Sequence, residues 1–122
     1  MAHETKHGRK EFIGYWPKSI FTTMADFASE KQFGGDVYSP ISEPAPPMGS
    51  GDFNDNFKRT CYISRIRLVD SSNAQFEPEN ISIQAFTDKP SCYQVSYEGF
   101  TGEFERYAML FGGPGGPACN AK

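Results

Sequence analysis

Residues 60–69 read TCYISRIRLV, and this stretch decides the fold class. Tyr62, Ile66 and Leu68 fall on one face of an extended chain, and two arginines alternate with them on the other face. A period of two is the pattern of a β-strand with one buried face, because successive side chains of a strand point to opposite sides. The stretch therefore predicts one long strand with a solvated arginine face.

The neighbouring sequence repeats this pattern in shorter runs. The 12 glycines and 9 prolines are spread between the runs, which is typical of turns that join short strands. Turn signals at these intervals are those of a sandwich or barrel. We therefore expect an all-β fold. Further strands are predicted over 12–16, 36–39, 81–87, 92–97 and 104–111.

One short helix is predicted between the first two of these strands. Ser19 or Thr22 can cap its first turn. Apolar residues recur three and four positions apart until two glycines end the run: Ile20, Met24, Phe27 and Ala28. We expect this helix to pack on a sheet and to carry no chemistry of its own.

The composition excludes several classes of protein. Hydrophobic residues make up 38% and aromatic residues 15%, which is too apolar for a disordered tail. The net charge of −3 and the scattered lysines and arginines do not form the basic patch of a nucleic-acid-binding protein. No apolar run approaches the roughly 20 residues that span a bilayer, so we predict no membrane partner. Residues 1–11 are polar, and no signal peptide is predicted in them.

Two features resemble metal or redox sites only superficially. His3, Glu4 and His7 match H-E-x-x-H, a zinc pattern that requires a helix with both histidines on one face. The segment has no apolar face and is followed at once by a glycine, so we predict no metal. The cysteines, Cys61, Cys92 and Cys119, lack C-x-x-C spacing, and their odd number predicts one disulfide and one buried thiol.

Six blocks of sequence together carry a resemblance to a known family. They are IGYWPKSIF, FGGDVYS, MGSGDF, YISRIRLVDSSN, CY and FGGPGGPAC, in this order between residues 12 and 119. They resemble the second half of the plant neprosin peptidase domain. The resemblance implies a secreted glutamic endopeptidase, folded as an antiparallel, jelly-roll-like β-sandwich, that acts in acid and in its best-known member cuts after proline. The implied partner is a protein or peptide substrate, proline-rich in that case, and no cofactor is implied because carboxylates activate the water.

The resemblance assigns a catalytic role to Asp36. Phe33-Gly-Gly-Asp36 corresponds to a block of the family that ends in a catalytic glutamate and begins with tryptophan. Aspartate is one methylene shorter, and a displacement of that size can lower a rate about a hundredfold. Without the resemblance, Asp36 reads as a carboxylate that caps a turn after two glycines.

The family uses two glutamates, because one carboxylate must activate water while the other donates a proton. The second is expected in the family's amino-terminal half. We therefore expect residues 1–11 to be a leader unlike the family and residues 12–122 to be the carboxy-terminal portion of the domain, a partial sandwich. Such a portion is expected to be inactive alone and to self-associate through exposed sheet surface.

The resemblance also implies a disulfide between Cys92 and Cys119, which leaves Cys61 as the thiol. Trp16, Tyr15 and Tyr38 are candidates for lining a substrate groove, since aromatic faces pack well on proline rings, although each reads equally well as a core aromatic. The alternative function is a non-catalytic β-sandwich module that binds peptide or polysaccharide.

Overall fold

The computed structural model describes residues 2–4, 10–12, 16–24, 26–54, 56–78 and 82–120. Within these residues the regular structure is β-strand with short 3₁₀ helices, one of them at Pro117–Asn120, and no α-helix occurs. All pairings between strands are antiparallel, so the predicted all-β class is confirmed. The strands are β1 (Ala2–Glu4), β2 (Lys10–Phe12), β3 (Cys61–Ile63), β4 (Leu68–Val69), β5 (Gln75–Phe76), β6 (Gln94–Phe100) and β7 (Tyr107–Gly112).

The chain divides into two compact units, Met1–Lys31 and Gln32–Lys122. In the first unit, β1 and β2 form an antiparallel pair in which Ala2 lies opposite Phe12. A short 3₁₀ helix follows at Lys18–Ile20. No described helix is long and apolar enough to cross a membrane.

The predicted α-helix after Pro17 is wrong for the described residues. Only the single 3₁₀ turn forms there, and residues 21–24 and 26–31 show bends and irregular backbone. Ile20, Met24 and Phe27, which were expected to form the buried stripe, are all exposed, Phe27 to 76%. A short amphipathic helix gains most of its stability by burying such a stripe, so its local spacing alone does not sustain the helix.

The second unit is built on a three-stranded sheet with the order β3–β7–β6. The central strand β7 carries three consecutive buried residues, Ala108, Met109 and Leu110. Because neighbouring side chains of a strand point to opposite faces, both faces of the sheet are covered at this point. This accounts for the continuous apolar run of the sequence there. The strands predicted over 92–97 and 104–111 are thereby confirmed, with bounds displaced by a few residues.

The predicted long strand over 60–69 is instead two short strands with a turn between them. Arg65 adopts a left-handed conformation with φ of 55°. Its backbone N–H donates to the Glu105 carbonyl at 2.8 Å, and its Nε donates to the Phe104 carbonyl at 2.8 Å. The guanidinium also lies over the Phe104 ring, 5.2 Å from its centroid. The prediction of a solvated arginine face is therefore wrong for Arg65, because its side chain packs on the turn between β6 and β7. The same contacts compensate the strain of the left-handed Arg65 backbone.

Beyond this turn, β4 pairs with β5 as a separate two-stranded sheet. The strands predicted over 36–39 and 81–87 do not join a ladder in the described residues, and Ile81 lies outside them. Of the strand predicted over 12–16, Phe12 ends β2 and residues 13–15 lie outside the described part. The sandwich stays a prediction.

Candidate functional site

The site is held by the glycine-rich segment that follows β7. A Cβ atom on Gly113 would overlap the carbonyl oxygen of Cys92, and one on Gly115 would overlap the carbonyl oxygens of Ala45 and Pro46. Gly115 also has φ of 65°, which side chains disfavour. Glycine at these positions therefore lets the segment after β7 lie in backbone contact with two distant segments, one at Cys92 and one at Ala45 and Pro46.

The MGSG block is joined to this segment by main-chain hydrogen bonds. Met48 N–H donates to the Gly113 carbonyl at 2.9 Å, and Ala45 N–H donates to the Gly116 carbonyl at 3.2 Å. Gly49 has φ of 63° and lies against Cys61, where a Cβ would stand 2.6 Å from that of the cysteine. The proline loop is thus held as a short irregular ladder even though its prolines lack donors.

The predicted disulfide between Cys92 and Cys119 is confirmed. The two half-cystines form a small buried cluster with Ala45 and Tyr93, and Val37 packs against it. The Tyr93 hydroxyl donates to the Pro46 carbonyl at 2.8 Å, which satisfies its polar end inside the cluster. Cys61 is free and half-buried, so its predicted full burial is wrong.

Asp36 lies directly beside this scaffold. At the preceding Gly35, a Cβ atom would come within 2.7 Å of Met48 Sδ and 2.8 Å of the Phe111 ring, so the segment passes close over both. From Asp36 to Pro40, exposed and half-buried residues alternate, with Val37 turned toward the buried cluster. This period of two indicates an extended chain that presents the Asp36 and Tyr38 side chains outward.

Two adjoining cavities, of about 300 and 430 Å³, open at this segment. Both are lined by Gly35, Asp36, Met48, Asp88 and Tyr93, which therefore form their common wall. Their other walls differ, and each combines apolar with polar residues. The smaller cavity adds Val37, Tyr38 and Ile41, and the larger adds Phe33, Phe86, Val95 and Phe111.

The charges at the cavities are few. Asp36 and Asp88 are the acidic residues that the described part of the chain contributes to the two linings, and Lys89 is the basic one. The Lys89 ammonium donates to the Cys119 carbonyl at 2.6 Å, which ties it to the disulfide segment. Among described residues, the Asp36 carboxylate accepts no hydrogen bond and forms no ion pair. It is therefore open to an incoming group.

Three further glutamates of the second unit lie elsewhere. Glu98, Glu103 and Glu105 do not line either cavity, and Glu103 instead pairs with Arg106 at 3.0 Å. Arg106 also binds Glu77, and this hydrogen-bonded pairing lowers the pKa of the Glu77 carboxyl and raises the pKa of Arg106. These groups tie the β6–β7 turn to the end of β5 and are structural.

The predicted groove residues fall in three different situations. Tyr38 lines the smaller cavity beside Asp36 and is 88% exposed. Trp16 is 72% exposed and belongs to the first unit, and Tyr15 lies outside the described residues. Sequence reasoning missed Asp88, because nothing local to DKPSCY distinguishes it from an ordinary turn aspartate.

The described residues contain no group of three or more histidines, cysteines or acidic residues that could hold a metal ion. His3 and Glu4 lie in strand β1 and not on a helix, whereas His7 lies outside the described residues. The helical context that the H-E-x-x-H pattern needs is therefore not present at His3 and Glu4.

Comparison with known proteins agrees with the resemblance of the six blocks. No solved structure matches the chain. A family model, Neprosin, matches residues 4–114, which is most of the chain and includes all residues that line the two cavities except Cys119. The match begins within the polar leader. The chain therefore belongs to the neprosin family.

Proposed function

We propose that this chain carries one carboxylate, Asp36, of the active site of a neprosin-type glutamic endopeptidase. One observation supports this most strongly. The FGGD, MGSG, CY and FGGPGGPAC blocks are separated by up to about eighty residues, yet each contributes to the lining of the two cavities at Asp36, the last three through Met48, Tyr93, Phe111 and Cys119. The glycines explain why these segments can approach one another closely. They do not explain the outward Asp36 carboxylate, which has no structural partner among the described residues.

The proposed reaction is hydrolysis of a peptide bond by two carboxyl groups. One ionised carboxylate accepts a proton from water while the water oxygen bonds to the scissile carbonyl carbon. The carbon–nitrogen bond then breaks, and the leaving nitrogen takes a proton from the second, protonated carboxyl group. The second carboxyl group must hold a proton before the reaction, and ordinary carboxyl pKa values are about 4. The activity is therefore expected in acid.

On this proposal the second glutamate comes from the family's amino-terminal half, and this chain alone is inactive. We further propose that the protein is secreted, which agrees with the Cys92–Cys119 disulfide because disulfides persist in oxidising compartments. The proposed substrate is a protein or peptide that contains proline. Tyr38, exposed at the smaller cavity, is suited to pack its ring on a proline ring.

The test is cleavage of proline-containing peptides across acid pH, by the chain alone and mixed with the amino-terminal half of a neprosin domain. The mixture should cleave, Asp36→Ala should abolish cleavage, and Asp36→Glu should raise it. Asp26→Ala is the matched control, since Asp26 is exposed, pairs with Lys18 and lines neither cavity. Undiminished cleavage by the Asp36→Ala mixture would refute the proposal.

A second outcome of the same assay concerns Asp88. If the chain alone cleaves peptides and the cleavage needs Asp36, the second carboxylate lies within this chain. Asp88 is then the residue to change, because it shares both cavity linings with Asp36. Asp88→Asn should in that case lower cleavage as strongly as Asp36→Asn.

The second candidate function is peptide binding without cleavage. It is favoured by the aspartate that stands where the family has glutamate, since the shorter side chain displaces the acid from its position. In that case no variant cleaves in either assay, and Asp36→Ala leaves the affinity for peptides unchanged.

A further inference from the structure

One sequence motif of the second unit has no part in the proposed hydrolysis. Asn80-Ile81-Ser82 matches N-x-S/T, in which any residue except proline stands between the asparagine and the hydroxyl residue. This motif is the acceptor for N-linked glycosylation. It occurs once in the chain, because the other asparagines have no serine or threonine two positions later: Asn54, Asn56, Asn73 and Asn120.

The described residues on both sides of the motif show a change from buried to exposed chain. Pro78 is buried, and its carbonyl accepts a hydrogen bond from the Tyr97 hydroxyl at 3.5 Å. Ser82, the third residue of the motif, is exposed, and so are residues 84–86. Asn80 and Ile81 lie outside the described residues. N-linked glycans are carried by surface segments of secreted proteins, and the exposed Ser82 meets this requirement.

The disulfide indicates the compartment in which this modification is made. The Cys92–Cys119 bond joins two buried residues of the same unit. Such bonds form and persist in oxidising compartments, of which the lumen of the endoplasmic reticulum is one. The transferase that attaches N-linked glycans acts in that lumen, so a chain that acquires this disulfide there also meets the transferase.

Two exposed aromatic rings lie on either side of the motif in the sequence. Phe76 is 46% exposed and Phe86 is 81% exposed. Exposed apolar surface favours association between molecules, whereas a glycan is bulky and solubilising. A glycan attached between these two positions is therefore suited to keep this stretch of the chain soluble.

We propose that Asn80 carries an N-linked oligosaccharide, acquired when the chain enters the endoplasmic reticulum. The side-chain amide nitrogen of Asn80 bonds to the anomeric carbon of an oligosaccharide that is carried on a lipid diphosphate. The bond from this carbon to the diphosphate oxygen breaks, the lipid diphosphate leaves, and the amide nitrogen gives up one proton. The inference rests on the proposed secretion and not on the proposed hydrolysis.

The test is translation of the full chain behind an added signal peptide in the presence of endoplasmic-reticulum microsomes. Protease added outside the microsomes removes chains that have not entered, so every protected chain has met the transferase. The protected chain should be heavier by one oligosaccharide. Peptide-N-glycosidase should remove this increase and convert Asn80 to aspartate, which mass spectrometry of the peptide detects. Asn80→Gln and Ser82→Ala should abolish the increase, whereas Ser82→Thr is the matched control, because it keeps the motif and should retain the increase.

A protected chain of unchanged mass would overturn the proposal. An increase that persists in Asn80→Gln would overturn it too, because the sugar would then be attached at another residue. The added signal peptide separates this inference from the proposed function, since delivery to the lumen no longer depends on the chain's own route. Finding the native protein outside the secretory pathway would refute the proposed secretion and leave the acceptor site intact, whereas an unmodified protected chain would do the reverse.

Discussion

Removing the disulfide gives the most direct test of the scaffold that holds Asp36. Cys92 and Cys119 are 27 residues apart, and both are buried in the cluster against which Val37 packs. The loop-closure entropy that the cross-link removes from the unfolded chain is about 12 cal/mol/K for this separation. At room temperature this corresponds to about 3.5 kcal/mol, a large share of the 5–15 kcal/mol that stabilises a typical domain.

The perturbation is the double variant Cys92→Ala/Cys119→Ala, followed by urea unfolding monitored by far-ultraviolet circular dichroism. With a slope of about 1.5 kcal/mol per molar urea, the midpoint should fall by about 2 M. Cys61→Ala is the matched control, because this half-buried thiol is not cross-linked. Its free energy of unfolding should change by about 1 kcal/mol or less. A double variant that loses no more stability than the control would refute the reasoning.

Three further predictions concern the sheet and the tight turns. Gly113→Ala should destabilise the protein by at least about 3 kcal/mol in the same urea assay, because the new Cβ overlaps a backbone carbonyl oxygen; a loss below about 1 kcal/mol would contradict the close approach. Leu110→Ala should cost about 2–5 kcal/mol, since Leu110 is fully buried in the central strand, whereas Val69→Ala at a 55% exposed position should cost less than about 1 kcal/mol. The Arg106 hydrogen bond depresses the folded pKa of Glu77 below its ordinary value of 4.5, so its stabilisation is present above that value and is lost as the pH falls through the folded pKa. Glu77→Gln should therefore flatten the fall in unfolding free energy in this acid range, and identical pH profiles for both proteins would contradict the pairing.

Much of the fold class was predictable because it depends on local pattern. The apolar run that became β7 and the alternation that became β6 are read directly from neighbouring residues, since the period of two is a property of a single strand. The disulfide came from the resemblance of the blocks and not from spacing. The positional assignment of Asp36 came from the same source and stays a prediction.

The errors of prediction share one physical cause. The helix after Pro17 and the unbroken strand over 60–69 were both inferred from the spacing of apolar residues. Such a helix forms only when its apolar face is buried, and such a strand only when a neighbouring strand pairs with its whole length. At Arg65, contacts from Phe104 and Glu105, about forty residues away in sequence, stabilise a left-handed turn instead. No local pattern contains those contacts.

The amino-acid sequence by itself determined the all-β class, the apolar central strand and the membership of the neprosin family, because each rests on residue order and short-range periodicity. Only the tertiary structure decided that Gly113 and Gly115 lie at backbone contact with Cys92 and with Ala45 and Pro46, and that Asp88 lies on the same cavity walls as Asp36. The reason is that close approach between segments depends on which backbones can pack without a Cβ between them. That is a property of the assembled chain and not of any one stretch of it.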